Sequence, residues 1–81
     1  MKFVNIGFGN FVSVENMICV VSPDSAPIKR LIHDSDEEGL LINASFGRKT
    51  ESVIVESSHH VILSSLTPDE VNERIAEVTK Q

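Results

Sequence analysis

Arg48 and Lys49 stand side by side behind a glycine, in the run Gly47-Arg48-Lys49-Thr50, between two apolar stretches. Two adjacent cations on a glycine-led turn, with a threonine hydroxyl beside them, offer charge and donors to phosphate oxygens. Contacts of that kind position a protein on DNA without reading its sequence. The whole chain carries a formal net charge of -5, which works against general nucleic-acid affinity because phosphate neutralisation drives non-specific binding. Any grip is therefore local. A solvated turn is the plainer reading of the same residues. One such pair in a monomer binds weakly; repeated around a closed assembly it becomes a multivalent track.

Other residue types that could do chemistry lack partners at useful spacing. Gly7-x-Gly9 resembles the start of a dinucleotide fingerprint, but position 12 is valine and no helix follows, so the glycines read as a hairpin turn with Phe8 at its tip. His59 and His60 are adjacent; in a strand they would face opposite sides and could not share a metal ion. Cys19 lies inside the apolar run Met17–Val21 and reads as a small core residue. No Gly-x-Ser-x-Gly elbow occurs among the many serines. Asp36, Glu37 and Glu38 read as a solvated helix end. The expectation is a non-enzyme without metal, cofactor or small-molecule substrate.

The elements that must position the cations follow from periodicity and punctuation. Lys2–Ile6 and Phe11–Val14 read as strands around the Gly7–Asn10 turn, and Met17–Val21 as a buried central strand. Pro27 fits the first turn of a helix capped by Asp24 or Ser25. Ile28, Leu31, Ile32 and Ser35 form its inward stripe, and Gly39 closes it. Leu40–Asn43 reads as a short strand followed by a loop over Ala44–Thr50, and Ser52–Glu56 and His60–Ser64 as two more strands joined at Ser57–His59, where a short connection favours antiparallel pairing. Thr67-Pro68-Asp69-Glu70 is a capping box, with Leu66 and Val71 placed as a hydrophobic staple. Val71, Ile75 and Val78 give the last helix a narrow apolar stripe that needs a neighbouring surface. No linker and no internal repeat is evident. The sum is an α+β fold, a mostly antiparallel sheet of short strands with one central and one C-terminal helix, in a single domain over residues 1–81.

Length and charge add an expectation of assembly. At 81 residues a domain buries only about 60–65% of its unfolded surface, and one cysteine allows no internal disulfide, so oligomerisation is the expected source of further stability. The middle helix carries Lys29 and Arg30 early and Asp34, Asp36, Glu37 and Glu38 late, against the preference of the helix dipole. Either that face is simply solvated, or Lys29 and Arg30 of one subunit meet Asp34 and Glu37 of the next in a head-to-tail contact that closes a ring or runs on as a filament. The longest apolar run is five residues, Met17–Val21, far short of the roughly 20 needed to span a membrane. No secretory signal is evident. The unpaired cysteine fits a reducing compartment, so the cytoplasm is expected.

Four segments together carry a family resemblance: Asn5–Asn10, Val21–Arg30, Gly47–Thr50 and His60–Ser64. In them the chain resembles the RemA family of bacterial extracellular-matrix regulators over nearly its whole length. The resemblance implies a small α+β subunit, likened to LytTR-type domains, that assembles into closed rings, binds double-stranded DNA at repeated upstream sites and activates biofilm-matrix and osmoprotection operons. The family's paired arginines fall on Arg48 and Lys49, the second keeping the charge without the planar fork. A further basic position falls on Asn16, and the residue after Thr50 is Glu51 rather than a base. Arg48, Lys49, Thr50 and Asn16 are thus the expected DNA contacts, with two departures that lower phosphate attraction. An oligomeric scaffold that binds protein is the alternative reading, and an anion-binding enzyme subunit a weaker third.

Overall fold

The computed structural model describes residues 1–80. Strand β1 (Phe3–Asn5) pairs antiparallel with β2 (Phe11–Ser13), and a single 3-10 turn at Val14–Asn16 leads into β3 (Met17–Val21). Helix α1 (Ala26–Glu37), β4 (Leu41–Asn43), β5 (Ser52–Glu56), β6 (Val61–Ser64) and α2 (Pro68–Thr79) follow. The main sheet runs β3-β5-β6-β4. The fold class is α+β, as expected from the sequence.

Alternation along the two central strands divides the core between two faces of this sheet. Val53, Val61 and Leu63 point to one side, where Ile28, Leu31 and Ile32 of α1 cover them. Ile54 and Ile62 point to the other, against Val4, Ile6 and Val12 of the hairpin and Ile75 and Val78 of α2. Strands buried on both faces read as continuous apolar runs, and β5 and β6 are such strands, with Val53 and Ile54 fully buried.

One strand expectation is corrected. Met17–Val21 is not a buried central strand: β3 pairs only with β5 and forms one edge of the sheet. A register break between Met17 and Cys19 accompanies the outward turn of this stretch. Ile18 is 65% exposed, and Cys19 is exposed rather than a core residue. The sheet is mostly antiparallel, as expected, with β4 parallel to β6 as its one parallel pair. Helix α1 makes this possible, because it carries the chain across the sheet from one edge strand to the other, and parallel strands need a crossover of about a dozen residues or more.

Helix ends follow the sequence closely. Ser25 caps α1, its Oγ accepting from the Ile28 amide at 3.4 Å. At the other end Gly39 takes φ +75°, its amide bonds the Asp36 carbonyl, and the Leu40 amide reaches Ser35. Only a residue comfortable in the left-handed region closes a helix this way. In α2 the Glu70 amide donates to Thr67 Oγ1 at 3.1 Å while Glu70 Oε1 accepts from the Thr67 amide at 2.8 Å. The Thr67 backbone amide, and after it the Thr67 hydroxyl, holds the Glu70 carboxyl below the usual glutamate range.

Two buried serines face each other across β5 and β6, and their opposite hydrogen-bonding states make a test. Ser64 Oγ donates to the Ile6 carbonyl at 2.7 Å and accepts from the Leu66 amide at 3.1 Å, tying the hairpin and the start of α2 to the sheet. Ser52 Oγ is buried without a partner. Ser64→Ala strands both of those groups and is expected to cost about 1–3 kcal/mol. Ser52→Ala removes an unsatisfied hydroxyl and is expected to be neutral or stabilising. Urea denaturation of the pair reads the contrast.

Candidate nucleic-acid interface

The Arg48 turn is anchored at both ends. Asn43 Oδ1 accepts from the Ser45 amide at 3.0 Å and from the Ser45 hydroxyl at 2.6 Å. Ser45 is almost fully buried, and the Arg48 amide closes back on its carbonyl at 3.0 Å. The central residues Phe46 and Gly47 have φ +56° and +75°, the two positive values of a type I′ turn. Beyond it, the Glu51 amide rejoins the sheet at the Ser64 carbonyl, 2.9 Å away. Arg48 and Lys49 therefore project from a fixed backbone into solvent, with Thr50 half-buried next to them. No ion pair joins either cation to an acidic side chain among the described residues. Glu51, two residues after Lys49, forms no ion pair with either.

A second turn of the same construction stands against the first. Asn5 Oδ1 accepts from the Gly7 amide at 2.8 Å, and the Asn10 amide closes on the Gly7 carbonyl at 3.0 Å. Phe8 and Gly9 have φ +55° and +76°. The two phenyl rings stack at 4.8 Å between centroids and 21° between planes, and the Arg48 guanidinium lies over the Phe8 ring at 5.7 Å. That distance is within cation–π range. The two sequences correspond residue by residue: Asn5-Ile6-Gly7-Phe8-Gly9 against Asn43-Ala44-Ser45-Phe46-Gly47. Asparagine makes the local bond, Ile6 and Ala44 enter the same core cluster, and phenylalanine with glycine forms the tip. A five-residue repeat is therefore present where none was expected. Its signal was available in the paired Phe-Gly dipeptides, each two residues after an Asn-x.

Asn16 does not join this site by any hydrogen bond. It ends the 3-10 turn, exposed, with its carbonyl accepting from the Ser57 amide at 2.7 Å. There it lines an open groove of about 290 Å³ together with Asn10, Phe11, Ile42 and the carboxylate residue Glu56. Lys29, Arg30, Asp34 and Glu37 are all exposed on α1, opposite its buried stripe. Arg30 and Asp34 form no ion pair; His33 and Glu37 approach instead, at 3.6 Å. His59 lies in the β5–β6 turn with φ +75° and His60 Nδ1 meets Ser58 Oγ at 2.7 Å, so neither belongs to a strand. Among the described residues, no three histidine, cysteine or carboxylate side chains are grouped to hold a metal ion, and no helix is long and apolar enough to cross a membrane.

The family model for RemA-like, extracellular matrix regulatory protein A-like, proteins matches residues 3–75, from β1 into α2. The chain belongs to the RemA-like family. It is 50% identical over 76 residues to extracellular matrix regulatory protein A of Bacillus subtilis, which covers 94% of this chain and 85% of the relative. It is 56% identical over 75 residues to a relative from Geobacillus thermodenitrificans (93% and 86% covered), and 53% identical over 77 residues to one from Caldicellulosiruptor saccharolyticus (95% and 76% covered). Both of these are named as regulatory proteins. The RemA-like match encloses both Phe-Gly turns, the two cations and the capping box of α2.

Proposed function

We propose that this RemA-like chain is a non-enzymatic regulator of transcription that binds double-stranded DNA as a closed ring of identical subunits, with Arg48, Lys49 and Thr50 on the phosphate backbone. The observation that carries the reading is the pair of unpaired cations held on a turn anchored at both ends, in a chain whose net charge is -5. A cation that no carboxylate neutralises, on a backbone that loses little entropy on binding, suits a phosphate contact. Matrix-gene control is the regulatory role that the Bacillus subtilis relative's name suggests. A small subunit with one cation pair needs repetition to bind tightly, and the exposed apolar residues Ile18 and Ile42 on the two sheet edges offer surface for neighbouring copies. The candidate contacts sit on a turn rather than on a helix, so DNA shape and deformability supply whatever selectivity exists.

The test is a gel shift on a long duplex with the wild type and the double variant Arg48→Ala/Lys49→Ala. The expected result is a shift that the variant weakens by at least about tenfold, each lost charge-assisted phosphate contact contributing on the order of 1.5 kcal/mol or more. Both side chains are exposed, so the variant's Tm should match the wild type. No shift with any long duplex, or equal shifts for both proteins, refutes the reading.

A further inference from the structure

A type I′ turn wants asparagine, aspartate or glycine at its first central position, because that residue must hold a positive φ. This chain places phenylalanine there twice, at Phe8 (φ +55°) and Phe46 (φ +56°). A bulky residue in that region is an outlier, and such outliers cluster at ligand-binding surfaces. Burial does not explain the choice: Phe8 remains 49% and Phe46 76% exposed even though their rings stack on each other. Both turns thus give up the residue that suits their backbone and display a flat ring to solvent. The Arg48 guanidinium lies over the Phe8 ring, so a partner covering this surface would meet a cation beside an apolar face.

From this we infer that the stacked Phe8–Phe46 pair is an apolar wedge that abuts a base step from the minor groove while Arg48 holds the neighbouring phosphate. The inference rests on the DNA reading above and adds to it a second contact of different chemistry. Apolar wedges beside arginines partly unstack a base step and bend the duplex away from the protein's side. The wedge has the composition for this: two stacked rings, Phe46 the more exposed of them, on two backbones each pinned by an asparagine side chain.

Phe8→Asn and Phe46→Asn, singly and together, test the wedge. Each creates an Asn-Gly dipeptide, the favoured type I′ sequence, so folding and Tm should survive and loss of binding will not be confused with loss of structure. Three readings are taken on the full chain: affinity for a long duplex, DNA bend angle by end-to-end energy transfer, and the slope of log affinity against log salt. The double variant is expected to bind about tenfold or more weakly and to bend DNA less, with an unchanged salt slope because no phosphate contact is lost. A wild-type salt slope that falls in the variant would mean the rings act only by holding Arg48, which overturns the wedge. Unchanged affinity and bend would also overturn it, and would assign the rings to a protein partner. If Arg48→Ala/Lys49→Ala weakens binding while the asparagine variants do not, the wedge fails and the DNA reading stands. If the wild type binds no duplex, both fail.

Discussion

Ile54→Ala is expected to destabilise the protein by about 3–5 kcal/mol. Against a total of about 5–15 kcal/mol for a natural domain, that leaves a molecule marginal or unfolded at physiological temperature. Ile54 is fully buried on a central strand and faces Ile62 on one neighbour and Val20 on the other. Val4, Ile6 and Val12 of the hairpin close over it, and Ile75 and Val78 of α2 pack against the same cluster. Truncation therefore opens a cavity bounded by three independently anchored units. The hairpin is pinned to the sheet by the Ser64–Ile6 bond, and α2 is fixed to β1 by the Arg74–Asn5 bond, so collapse around the missing atoms is restricted. The control is Ile18→Ala on the β3 edge, where 65% exposure leaves a cost within about 0.5 kcal/mol. Urea midpoints of the two variants at fixed protein concentration make the comparison. Equal losses would place Ile18 in a subunit contact rather than in free solvent.

The contrast between these isoleucines marks what the sequence could and could not convey. Helix ends were legible because a cap is a local matter: Thr67, Glu70, Ser25 and Gly39 act within a few residues of themselves. The α1 stripe was legible for the same reason, down to Ser35, which is buried at the expected position. Strand burial was not. Met17–Val21 and Ser52–Glu56 are both β-branched and apolar, yet one is an edge and the other central. The difference comes from strand order, which periodicity does not encode. The parallel placement of β4 was hidden likewise, since it depends on where the α1 crossover lands. Within the candidate site, Gly47 through Thr50 was readable as an exposed basic turn. That Phe8 would meet Phe46 and Arg48 was not, because a contact between two loops leaves no periodic trace. The only clue was chemical, a matching Asn-x-small-Phe-Gly order in both.

Reversing charges on α1 is expected to change DNA binding without touching Arg48. Lys29 and Arg30 lie in the first turns of α1, Asp34 and Glu37 in its last, all four exposed, with no acidic residue in the first turn and no basic one in the last. That order opposes the helix dipole; a head-to-tail contact between copies would give it a purpose, and a simply solvated face would not. In Lys29→Glu/Arg30→Glu the contact becomes repulsive, so the particle mass measured by light scattering should fall. DNA affinity should fall by about 10²–10⁴, the factor that linked sites gain through effective concentration. Lys29 and Arg30 could instead lose affinity by touching phosphates themselves, and the opposite variant separates the two causes. Asp34→Lys/Glu37→Lys makes each subunit more basic; direct phosphate attraction would then raise affinity, whereas a broken assembly lowers it. Carrying both reversals together restores the complementary pair in the opposite sense, so assembly and binding should return. An unchanged particle in all three variants would remove the α1 contact, and a smaller particle with undiminished affinity would remove the dependence of binding on the ring.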